Sequence, residues 1–222
     1  MNELISSLRL RVANAELSSQ QIEKAIAQLR DLGHSIYDQD KFPALRADHD
    51  YGQFSTSYKD LEIQNSPINL AEAMIWKLGR WDAYKSFVKN YENSSPIVSD
   101  AGGVVMSAFA KHLQDRENPI YDQHAIRSLW AIGGLDEDEL TACESVLTDG
   151  SGNWKDSGSG KYAVRCYELF VKHTRKICRD NAVSLRELDL LLMPLGQTLK
   201  KVTRPKNKDE SQVQMFKQIC GL

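Results

Sequence analysis

Apolar residues along this chain recur at three- and four-residue intervals, and no stretch demands the two-residue alternation of a strand. That period confines the chain to helices packed on helices and predicts an all-α fold of roughly eight to ten of them. Residues 3–32 read as two helical pieces: Leu4, Ile5, Leu8, Leu10 and Val12 form the first apolar set. Ser18 and Ser19 then offer an N-cap before Ile22, Ala25, Ile26 and Leu29, and Gly33 stops the second piece. Ser66 or Asn69 caps a helix from Leu70 to Trp81; Gly79 interrupts it, and Trp81, Tyr84, Phe87, Val88 and Tyr91 continue as a second amphipathic set. Asp136, Glu137, Asp138 and Glu139 open another helix where its dipole favours carboxylates. A long amphipathic helix follows over residues 161–179, and Ser184 caps a last one, Leu185 to Leu192, broken near Pro194.

Three segments lack the period. Residues 34–67 are aromatic, acidic and turn-rich and read as irregular structure or a long loop; His49 and Asp50 within them read as loop residues rather than a catalytic pair. Residues 148–160 read as a Gly/Ser-rich linker; they contain no G-x-x-x-x-G-K-[ST] and follow no buried strand, so a phosphate-cradling loop is rejected. Residues 200–209 form a basic tail segment, a solvated connection or a phosphate-contacting arm.

A length of 222 residues suits a single domain over 1–222 with a sizeable core. No run approaches the roughly 18 apolar residues of a membrane span, and Met1–Ile5 lacks a secretory pattern, so the default expectation is a cytoplasmic protein. A net charge of -2 argues against nucleic-acid binding through bulk charge while leaving room for a locally basic surface. Cys143, Cys166, Cys178 and Cys220 lack the close pairs of a zinc or iron–sulfur site and read as reduced, mostly core thiols; no metal site is expected.

The stretch with most chemical content runs from Ser95 to Gly134. Val98 to Gly103 make a polar glycine turn before the apolar run from Val104 to Leu113. Pro119-Ile120-Tyr121-Asp122 then leads into a helix carrying Ala125, Ile126, Leu129, Trp130 and Ile132. Glycines at the start of a helix free backbone N–H groups to hold a phosphate without net positive charge. An aspartate at the first turn is held by free amides and the dipole; such a fixed carboxylate can stabilise a developing sugar cation and orient a water. Asp is equally a common N-cap, so Asp122 can be read as a cap alone.

Asp122-Gln123-His124-Ala125-Ile126-Arg127, of the form D-x-H-x-x-R behind Gly102-Gly103, resembles the aspartate-headed segment after the hairpin in DNA glycosylases of the helix-hairpin-helix superfamily. The resemblance covers some forty residues. It implies two helical lobes with a helix-hairpin-helix element, a groove between them, and a base flipped out of double-stranded DNA into that groove. It implies Asp122 as the catalytic carboxylate, Ser99, Gly102, Gly103, Lys111 and Arg127 as DNA contacts, and Tyr121, Trp76, Trp81 and His124 as candidates for base contact. Members that also cleave the strand carry a lysine nucleophile some eighteen or nineteen residues before the aspartate, which here falls on Gly103 or Val104. The implied activity is therefore that of a monofunctional glycosylase using water, monomeric and without cofactor, in base-excision DNA repair or in phage defence against modified DNA. A non-catalytic helix-hairpin-helix DNA-binding module and a helical protein-interaction domain are the alternatives.

Overall fold

A computed structural model describes residues 1–32, 57–64, 66–92, 103–155, 162–204 and 210–222. The described residues form eleven helices; the one strand-like feature among them is an isolated bridge between Thr148 and Trp154. The fold is all-α, as the apolar period requires. The helices are α1 (Asn2–Ala13), α2 (Ser19–Asp31), α3 (Tyr58–Gln64), α4 (Leu70–Lys77), α5 (Trp81–Glu92) and α6 (Val104–Gln114). They continue with α7 (Gln123–Ile132), α8 (Glu137–Leu147), α9 (Ala163–Asn181), α10 (Leu185–Val202) and α11 (Gln212–Cys220). Among the described residues, no helix is long and apolar enough to cross a membrane.

Most helix starts follow from local chemistry. Ser18, Asp136, Ser184 and Ser211 each form a capping box with the residue three further on, and Asn69 accepts from the Glu72 amide at 2.9 Å. Of the two caps expected for α4, Asn69 takes the position.

The centre of the fold is α7. Every residue from Ala125 to Ile132 is buried, and α1, α8, α9 and α10 all pack on this helix. A helix surrounded on all sides buries its whole circumference. Its most extensive partner is α10, and the two approach so closely at Gly196 that a Cβ there would lie 1.9 Å from the His124 carbonyl oxygen. Ser128 Oγ donates to the Leu192 carbonyl at 2.5 Å across the same contact. A second group is formed by α3, α4, α5 and α6, with Phe87 of α5 stacked on Phe109 of α6 at 5.8 Å; α6 joins it to the rest by packing on α9.

Four expectations meet a different structure. First, α10 does not break near Pro194: it runs to Val202 with Pro194 inside it and buried. A proline costs a helix about 3 kcal/mol through its missing N–H and ring clash, and here the packing of Leu188, Leu191, Leu192, Leu195 and Leu199 outweighs that cost.

Second, residues 148–155 of the expected linker form a docked turn. Asp149 Oδ1 accepts from the Ser151 and Asn153 amides at 2.9 Å each, Gly152 supplies a φ of +75°, and the Val213 amide donates to the Gly152 carbonyl at 3.1 Å. Third, Tyr58–Gln64 is helical within the segment expected to be irregular. Fourth, Lys200 to Val202 of the expected tail are the last turn of α10. Residues 34–56, 65, 156–160 and 205–209 of these segments lie outside the described residues, as do Ser99 and Gly102 of the expected hairpin.

Gly196→Ala tests the central contact. It is expected to lower unfolding free energy by about 3 kcal/mol, because the two backbones must separate to admit a methyl group. Urea denaturation with a circular-dichroism readout measures the loss.

Candidate functional site

Asp122 sits in extended backbone as the N-cap of α7. Its Oδ1 accepts from the amides of His124 at 2.7 Å and Ala125 at 2.8 Å. Oδ2 takes no hydrogen bond from any described residue, and the side chain is half-buried. One oxygen is therefore immobilised and the other is uncommitted.

Around it the fold assembles groups that sequence order keeps apart. Arg127, one turn along α7, is fully buried. Its Nη1 donates to the Gly196 carbonyl and to His124 Nδ1, each at 3.2 Å, and its guanidinium stacks over the Trp154 ring, 4.4 Å from the centroid. Nε and Nη2 have no hydrogen-bond partner among the described residues. Burial pushes the arginine's pKa down to about 10, against the opposing pull of the Asp122 carboxylate. Because Arg127 donates to His124 Nδ1, that nitrogen is the acceptor and the imidazole is neutral with its proton on Nε2. Burial, reinforced by Arg127 and Lys200 and opposed chiefly by Asp122, lowers the His124 pKa in keeping with that state.

A second carboxyl lies within electrostatic range of the first. Asp189, on α10, feels the charge of Asp122 and the dipole of the Ile120 backbone N–H. Burial above all, and Asp122 in addition, push its pKa up to about 7 despite the Ile120 amide.

The remaining expected residues are placed as follows. Tyr121 is 1% exposed; its hydroxyl donates to the Ala163 carbonyl at 3.3 Å, and its ring meets Tyr167 and Phe170 edge-on at 5.2 and 5.5 Å. It is a core residue and presents no face to a base. Arg127, fully buried, presents none to a phosphate. Lys111 lies with its ammonium 5.7 Å from the centroid of the Tyr167 ring, and partial burial lowers its pKa. The amine and Asp122 thus border one aromatic cluster through Tyr167 and Tyr121. Gly103 is the N-cap of α6 in an ordinary right-handed conformation. Trp76 is 58% exposed on α4, and Trp81 is half-buried against Tyr84, its ring centroid 5.6 Å away.

The structure therefore brings together Asp122, His124 and Arg127, and places Tyr121 in the core. It adds Gly196 and Trp154, and Asp189 within electrostatic range, which sequence reasoning missed. Two had a signal: Asp189 is one carboxylate in a leucine run, Leu188-Asp189-Leu190-Leu191-Leu192, and Gly196 is a mid-helix glycine, a mark of close packing. Among the described residues no group of three or more His, Cys, Asp or Glu side chains is placed to hold a metal ion. Comparison with known proteins returns no match to a family model, a curated protein or a solved structure.

Asp189 makes stability depend on pH in a stated direction. Its folded pKa lies above the unfolded value of 3.8, so its contribution is full below about pH 4 and is lost as pH rises through about 7. His112 and His124, lowered by burial, act oppositely, adding stability as pH rises. The measurement is therefore a difference. Between about pH 5 and about pH 7.5 the wild type is expected to lose roughly 2 to 3 kcal/mol relative to Asp189→Asn. Parallel urea titrations of the two proteins check this.

Proposed function

We propose that this chain is a monofunctional DNA N-glycosylase that hydrolyses the bond between a damaged or modified base and its sugar, with Asp122 as the catalytic carboxylate. The observation that carries the reading is the division of labour within that side chain: Oδ1 is anchored on two amides and Oδ2 is left uncommitted. As the glycosidic bond breaks, positive charge develops on the sugar. A carboxylate already held in place stabilises it without reorganising, and the same oxygen can orient the attacking water. The base leaves from a flipped-out position in a groove between the helical lobes. Water is the nucleophile in this reading because Gly103 and Val104 stand where the superfamily's lysine would be.

Asp122→Asn separates the cap from the chemistry. Asparagine caps a helix about as well as aspartate, so stability is expected to stay within about 0.5 kcal/mol of wild type. The charge is lost, and base release is expected to fall roughly a thousandfold. The assay is a set of modified-base oligonucleotides and modified phage DNA, scored for strand breaks that appear only after alkali. Undiminished activity in Asp122→Asn would remove Asp122 from the mechanism. Borohydride trapping tests the nucleophile: no covalent DNA adduct is expected, and an adduct lost in Lys111→Met would put that amine in place of water.

A second reading, a helical protein-interaction domain, is favoured by one surface. Ile63, Leu70, Met74, Trp76 and Leu78 are all exposed on and beside α4, Leu70 at 88% and Ile63 at 82%. Absence of any salt-sensitive affinity for duplex DNA at low ionic strength would favour this reading over glycosylase action.

A further inference from the structure

At the opposite end of α7 from Asp122, about 15 Å away along the helix, a cavity of about 160 Å³ opens between α1, the turn at Gly133 and Gly134, and α9. Its floor is apolar, formed by Val12, Ile132 and Ile177. Its polar wall carries Arg9, His173, Lys176 and Asp180.

The charges on that wall do not cancel. Arg9 donates through Nε and Nη2 to the Ala131 carbonyl at 3.0 and 2.7 Å, and weakly through Nη1 to that of Gly221. All of these acceptors are neutral, and among the described residues Arg9 is paired with no carboxylate. Asp180 is shared between Lys176 and Arg179, each at 3.0 Å, so two cations divide one anion. Glu139 is taken up by His173 at 2.9 Å and Lys172 at 2.9 Å, which fixes the imidazole in the wall and leaves no carboxylate over for Arg9. The hydrogen bonds from His173 and Lys172 overcome the burial of Glu139 and hold its pKa near 2. The carbonyls at the C-terminal end of α7 would favour a cation, and Arg9 already occupies that role.

We infer that this cavity is a binding site for a small organic anion, a monocarboxylate about the size of benzoate. Arg9 and Lys176 supply the counter-charge, and Val12, Ile132 and Ile177 take its apolar part. The size agrees: an apolar cavity of about 150 Å³ admits benzene. The inference is independent of the glycosylase reading, since it uses none of the residues around Asp122.

The test is titration of the ¹⁵N-labelled full-length protein with benzoate, and with benzamide as its uncharged isostere, following the Gly133 and Gly134 amides. Benzoate is expected to give saturable shifts there, and benzamide to bind about tenfold more weakly. Lys176→Met, which alters a largely exposed side chain, and Arg9→Gln are each expected to weaken benzoate about five- to tenfold. The proposal is overturned by unsaturable or absent shifts with benzoate, by equal affinity for benzamide, or by benzoate affinity unchanged in Lys176→Met. The last outcome stands even if Arg9→Gln fails to fold.

Discussion

The close approach of α10 to α7 at Gly196 sets the geometry on which the rest of the structure depends. With no side chain there, the α10 backbone comes near enough for Ser128 and Arg127 of α7 to reach the carbonyls of Leu192 and Gly196. Arg127 in turn lies on Trp154, whose indole N–H donates to Thr203 Oγ1 at 2.8 Å and whose amide donates to Gln212 at 2.7 Å. One tight crossing thereby connects α7, the end of α10, the 148–155 turn and α11. The aromatic contacts of Trp154 with Trp130 and Phe216 fill the space between them.

Because Asp122 is the cap of α7, its carboxylate inherits the direction that this crossing imposes. The two ends of α7 then carry opposite chemistry for one reason. The helix dipole favours a carboxylate at the N-terminal end, where Asp122 stands, and a cation at the C-terminal end, where Arg9 binds Ala131. Around the N-terminal end, a buried guanidinium without a bonded carboxylate and a second carboxyl raised in pKa are both costly in isolation. Asp122 acts on the two in opposite senses: its charge steadies the Arg127 guanidinium, and it adds to burial in disfavouring the ionised form of Asp189.

Much of the fold was legible because its signals are local. A capping side chain bonds to amides two or three residues away, so Ser18, Asp122 and Ser184 mark helix starts whatever the rest of the chain does. Apolar spacing likewise located α6, α7 and α9 within a few residues. The failures share the opposite character. Pro194 was read by its local cost, and packing from other helices reversed the outcome. Trp154 sat among serines and glycines that suggested a linker, and what pins it comes from elsewhere in the chain, including hydrogen bonds to residues 49 and 58 positions away.

The candidate site divides along the same line. The sequence by itself determined that Asp122 heads a helix and that His124 and Arg127 share its first turns, since a period of 3.6 residues and a cap require nothing beyond neighbouring backbone. Only the tertiary structure decided that Arg127 and Tyr121 are buried and that Asp189 comes within reach of the Asp122 charge. The same holds for Lys111, whose ammonium lies over the Tyr167 ring. Those outcomes depend on which face of each helix meets another helix. That choice is made by close approach and burial between distant segments, which no local pattern encodes.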